Sequence, residues 1–162
     1  MLTSELARRL FAGMWFAVAA AIPVGINFLI FLIFPLTSGT IYRVFTTVVP
    51  ILAAGIIGLW LGAGILDEKK TKSALGAAGR GLAIGALSYL LFFFFELIAG
   101  VVYNSDLNSE VIFRLIYVIT IMSLIGLLIL GWLIAIVGAA AGGLLYLFRL
   151  RMMKDPDESK EL

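Results

Sequence analysis

Charged residues are missing from long stretches of this chain, and the points where they return divide it into four apolar runs. The first extends from Leu10 to about Leu36, between Arg9 and Arg43. The second covers 44–66 and closes at Asp67-Glu68-Lys69-Lys70. The third covers 81–103, broken only by Glu96, and gives way to the polar segment Asn104-Ser105-Asp106-Leu107-Asn108-Ser109-Glu110. The fourth covers 115–148 without a charge. A membrane helix needs about 20 apolar residues at ~1.5 Å rise each, so every run is long enough to cross a bilayer. The pattern predicts an all-α integral membrane protein with four transmembrane helices. Residues 1–148 form its domain, and 149–162 form a polar tail that lacks an apolar face to bury and is read as a fraying helix end followed by a disordered stretch.

Two runs need further comment. The first begins after Arg8-Arg9 and contains Ala17-Val18-Ala19, which together are reminiscent of a cleaved leader. Its apolar character continues through Ile22-Pro23-Val24 to Phe34, so it is read as a retained helix. The fourth would be on the order of 50 Å long as one helix, against a hydrocarbon core of ~30 Å. It is too short for two spans and a turn, and is read as one span whose first turns, Leu115 to Thr120, project from the membrane or lie along it. Gly126 and Gly131 are the places where it would bend.

The basic residues orient the chain. With a cytoplasmic N-terminus, Arg8, Arg9, Lys69, Lys70, Lys72, Arg80, Arg149, Arg151, Lys154 and Lys160 lie inside, and only Arg43 and Arg114 lie outside. Lysine and arginine concentrate on the cytoplasmic side, so both termini are placed there, in the plasma or inner cell membrane. The first six of these cations, with Arg149 and Arg151, would form an inner basic ring able to contact anionic lipid headgroups, each charge contributing about 1 kcal/mol.

Small residues recur three or four apart on every run. Gly13, Ala17, Ala21 and Gly25 mark the first; Ala54, Gly58 and Gly62 the second; Gly81, Gly85 and Ser88 the third; Gly131, Ala135, Gly138 and Gly142 the fourth. Lipid gives helices no hydrophobic reason to associate, and small residues let their backbones approach closely enough for van der Waals contact to do so. These stripes predict packing within the chain, into a homo-oligomer, or into a larger membrane complex. Gly76-Ala77-Ala78-Gly79-Arg80-Gly81 lacks the Gly-Lys-Ser/Thr ending of a phosphate loop and is read as a flexible entry to the third span.

Composition then narrows the chemistry. Of 162 residues 62% are hydrophobic and 14% charged, and there is neither Cys nor His. A thiolate nucleophile, a Ser-His-Asp triad and the usual zinc ligands are thereby excluded. With no paired carboxylates inside the spans, no enzymatic activity, cofactor or metal is expected. A net charge of +2, with its cations at the membrane surface, gives no reason to expect nucleic acid as a partner.

Glu96 is the one ionisable residue well inside a run. Such residues face a bundle interior or a water-filled cavity, because a carboxylate in hydrocarbon is costly. Asn27 falls at a similar depth on the first run, and its amide can donate to either protonation state of the acid. Two functional readings follow. The first is a non-catalytic accessory, assembly or scaffold component packing through glycine-rich faces. The alternative is a small oligomeric proton- or cation-linked transporter or channel using Glu96.

Overall fold

The structure is a computed structural model that describes residues 4–33, 40–103 and 108–158. The described residues form helices and no strand: α1 Glu5–Ile33, α2 Thr40–Ile57, a π-helical turn at Gly58–Gly62, α3 Ala63–Leu66, α4 Ala74–Tyr103 and α5 Ser109–Glu158. Five stretches are long and apolar enough to cross a membrane. Three lie on α1, on α2 through α3, and on α4; the other two, Ser109–Leu128 and Gly131–Met152, are successive parts of α5.

Local chemistry sets where the helices start. Ser4 accepts a hydrogen bond from the Ala7 amide at 3.1 Å, Ser73 from Gly76 at 3.1 Å, and Asn108 from Val111 at 2.8 Å. Each cap satisfies one of the amides that a first turn leaves without a helical partner. The Ser73 cap starts α4 at Ala74, so Gly76–Gly81 is not a flexible entry but the first turns of the helix. Asp67 ends α3 in an extended conformation, and its carboxylate accepts from the Lys69 amide at 2.9 Å. Pro23 and Pro50 lie inside α1 and α2, and both helices continue through them. Membrane helices tolerate this because neighbouring groups satisfy the carbonyls that proline frees.

α5 is one unbroken helix of 50 residues, about 75 Å long, and runs through Gly126 and Gly131 without interruption. It also continues past Phe148 to Glu158, so the helix does not end where the sequence placed the start of a tail. Just past Phe148 the helix is held by packing, with Arg149 only 7% exposed.

The helices form two antiparallel hairpins, α1 with α2 and α4 with α5, joined side by side through α1–α5 and α2–α4 contacts. Both hairpins close on glycine. In the first, a Cβ on Gly58 would stand 2.9 Å from Phe16 Cβ and 3.2 Å from the Ala12 carbonyl; one on Gly62 would stand 3.0 Å from Ala12 Cβ; one on Gly13 would stand 2.7 Å from Leu59 Cγ. In the second, a Cβ on Gly81 would collide with the Gly138 carbonyl, and one on Gly142 would collide with the Ala77 carbonyl and stand 3.0 Å from Gly81 Cα. Here backbone meets backbone, which only glycine allows. The core follows the seams: Ala12, Phe16, Ile65, Ala77, Ile84, Ala141 and Leu145 form one buried cluster. It lies at the end of the bundle where α1 begins and α3 connects to α4, called the basic end below for the cations gathered there.

Candidate functional site

The basic end is built around the 67–73 connection. Thr71, buried, donates from its hydroxyl to the Gly64 carbonyl at 2.7 Å and folds the connection back under α3. Arg149 reaches across from α5 and donates from one Nη1 to the Ile65 carbonyl at 2.8 Å and the Thr71 carbonyl at 3.0 Å. Its guanidinium lies 4.5 Å from the centroid of the Tyr146 ring, whose hydroxyl donates to the Lys72 carbonyl at 3.2 Å. A cation placed on the last carbonyls of α3 is favoured by the partial negative charge at a helix C-terminus. Trp15 of α1 completes the tie by donating to the Ala141 carbonyl at 3.0 Å, and Phe11 stacks on Phe148 with centroids 5.3 Å apart. These side chains join segments to one another through backbone carbonyls.

Beside this clamp is a cavity of about 230 Å³, walled by Glu5, Arg8 and Arg9 of α1, Trp60, Leu61, Ala63 and Gly64, and Asp67, Lys70 and Arg80. Arg9 is paired with Glu5, and Lys70 stands 3.9 Å from Asp67. Arg80 packs its guanidinium against Gly64 and donates to the Lys70 carbonyl at 2.9 Å. Arg8 is half-buried, and its Nε is shielded from solvent without a hydrogen-bond partner.

The eight cations singled out from the sequence therefore divide. Arg8, Arg9, Lys70 and Arg80 line one cavity; Lys69, Lys72 and Arg151 are exposed; Arg149 is buried in the clamp rather than presented to a headgroup. A charge at the end of an apolar run reads as solvated, and only the folded connection supplies the carbonyls that hold Arg149. Tyr146, three residues earlier and so on the same face, is the one trace of this in the sequence.

The glycines divide as well. Gly13, Gly58 and Gly62 lie in the first seam, and Gly81, Gly85, Gly138 and Gly142 in the second. Among the described residues, none comes within 4 Å of where a Cβ on Gly25 would be, and Gly131 meets only Leu127 of its own helix. Gly55 was not singled out from the sequence, and it packs opposite Ala17, with a Cβ there 3.5 Å from Ala17 Cβ.

Glu96 is half-buried on α4 and engaged by a neighbour. Tyr89 precedes it by two turns on the same face, with its hydroxyl 3.0 Å from where a Cβ on Gly126 of α5 would be. The Asn27 side chain lies outside the described residues. Among those residues, α1 and α4 do not form one of the principal helix contacts, so the helices carrying Asn27 and Glu96 sit across the bundle from one another. No group of three or more acidic side chains that could hold a metal occurs among the described residues.

Fold and site together define a helical protein with several membrane-compatible apolar stretches, closed by glycine seams and tied at one end by buried polar side chains. Compared with protein-family models, curated proteins and solved structures, the chain matches none.

Proposed function

We propose that the chain crosses the plasma or inner cell membrane four times, with both termini and the 67–73 connection in the cytoplasm. In this membrane it serves as a non-catalytic accessory, assembly or scaffold component. The count of four draws support from the continuity of α5: a helix without a break does not turn back on itself, which favours counting its two apolar stretches as one crossing beside the 30-residue α4. The orientation is supported by the cations at the basic end.

The observation that carries the non-catalytic reading is how the buried polar side chains are used. Thr71 and Arg149, both buried, and the half-buried Trp15 all donate to backbone carbonyls of neighbouring segments, as helix-joining groups do, and are thereby committed to packing. Purification from native membranes in a mild detergent tests the reading. A larger partner should be recovered in fixed stoichiometry, and recovery of the chain alone or only with copies of itself would contradict the proposal. A second reading, transport through Glu96, draws on the half-buried position of that acid. Reconstituted wild type and Glu96→Gln should show equal flux under a pH gradient; flux in the wild type that Glu96→Gln abolishes would favour transport.

A further inference from the structure

The cavity beside the clamp has a charge arrangement that packing does not account for. Four cations and two carboxylates line it, leaving a net charge of +2, and the carboxylates are taken by particular partners: Glu5 by Arg9, Asp67 by Lys70. Among the described residues, Arg8 and Arg80 have no carboxylate partner. Arg80 is held in place by packing of Nη1 against Gly64 and by donation from Nη2 to the Lys70 carbonyl. Arg8, like Arg149 in the clamp, keeps Nε out of water with no acceptor for it, but Arg8 lines the cavity, where a bound group could supply one.

We propose that this cavity is a binding site for a phosphate-bearing anion, held between the guanidiniums of Arg8 and Arg80. Planar guanidiniums present paired N–H donors that match phosphate oxygens, and such charge-assisted bonds are among the stronger ones available to a protein. A phosphate oxygen would satisfy Arg8 Nε and offset the residual positive charge. The wall also includes Trp60, 79% exposed, and Leu61, both apolar surfaces at the cavity's edge. The same site therefore admits a phospholipid headgroup with its chains beside Trp60, or a soluble phosphate. It goes beyond the accessory role proposed above and stands on the cavity's geometry alone.

The test uses the full-length protein, delipidated in an uncharged detergent, with thermal unfolding followed as ligand is added. Inorganic phosphate forms one arm. Phosphatidylglycerol, with phosphatidylcholine as control, forms the other. Wild type should show a saturable stabilisation by phosphatidylglycerol or by phosphate. Phosphate also stabilises proteins generally through exclusion from their surface, but that effect does not saturate and does not depend on one arginine.

Arg8→Gln should weaken the apparent affinity on the order of tenfold or more, and Arg8→Lys, which keeps the charge but loses Nε, should weaken it by less. Arg151→Gln, at an exposed cation outside the cavity, should leave the affinity unchanged. Response to the lipid alone identifies a headgroup, and response to both identifies a solvent-accessible phosphate site. No saturable response in wild type to either ligand would overturn the proposal, and that result does not depend on any variant folding. Equal losses in Arg8→Gln and Arg151→Gln would also overturn it, leaving only diffuse surface charge.

Discussion

Two stretches of the same helix behave differently. In α5, Ser109–Leu128 is the more apolar of the two, yet none of its described residues is buried, whereas Gly138, Ala141, Gly142, Leu145 and Arg149 of Gly131–Met152 are. A soluble protein would bury the more apolar stretch. Here the order is reversed, because in lipid a leucine gains nothing by leaving the hydrocarbon for another leucine, and small residues determine contact. The second stretch contains Ala135, Gly138, Ala139, Ala140, Ala141, Gly142 and Gly143; the first contains Gly126 as its only glycine. The difference extends through the bundle. Ala12 and Phe16 on α1, Ile84 and Ser88 on α4, and Ala141 and Leu145 on α5 are all buried on the side toward the basic end, and Glu96 lies beyond them.

The comparison can be broken by substitution. The largest effect is expected from Gly142→Ala, whose new methyl would meet the Ala77 carbonyl and stand 3.0 Å from Gly81 Cα. Neither neighbour is a side chain that can rotate away, so α4 and α5 must separate. Unfolding of the detergent-solubilised protein by added sodium dodecyl sulfate should show a loss of about 3 kcal/mol. Next comes Arg149→Met, which keeps the apolar stem but removes the donors to Ile65 and Thr71. Hydrogen bonds made by charged groups contribute about 1.5–3 kcal/mol, and the same titration should show a loss in that range. A loss near zero would mean that the clamp is dispensable. Trp15→Phe removes a single neutral hydrogen bond to Ala141 while retaining an aromatic ring, and should cost about 1 kcal/mol.

The same contrast explains which features the sequence revealed. The apolar runs were readable because a charge in hydrocarbon is too costly to be scattered, so its absence alone marks the helices. The seams were partly readable, since small residues four apart define a face. A face, however, does not specify a neighbour. Gly25 continues the stripe of Gly13 and Ala17, yet among the described residues none lies within 4 Å of a Cβ placed there, and Gly131 begins the stripe of Gly138 and Gly142 yet among them meets only Leu127. Helix ends were not readable from the apolar runs: the Ser73 cap starts α4 at Ala74, seven residues before the third run begins at Gly81. The clamp was the least readable feature. Arg149 is one basic residue among several in the sequence, and its burial depends on carbonyls at Ile65 and Thr71 that converge only when the connection folds beneath it.

That the glycine seams join helices within one chain, and hold one end of it, is the central claim. It is tested most directly by comparing the unfolding free energies of wild type, Gly81→Ala and Gly25→Ala over a wide range of protein concentration. A contact within the chain is insensitive to dilution, whereas one between subunits is not. The account predicts that Gly81→Ala loses at least about 2 kcal/mol at every concentration. Gly25→Ala, whose methyl meets none of the described residues within 4 Å and which puts a better helix former in place of glycine, should lose nothing. Equal effects for the two variants, or a Gly81→Ala loss that changes with dilution, would contradict the claim.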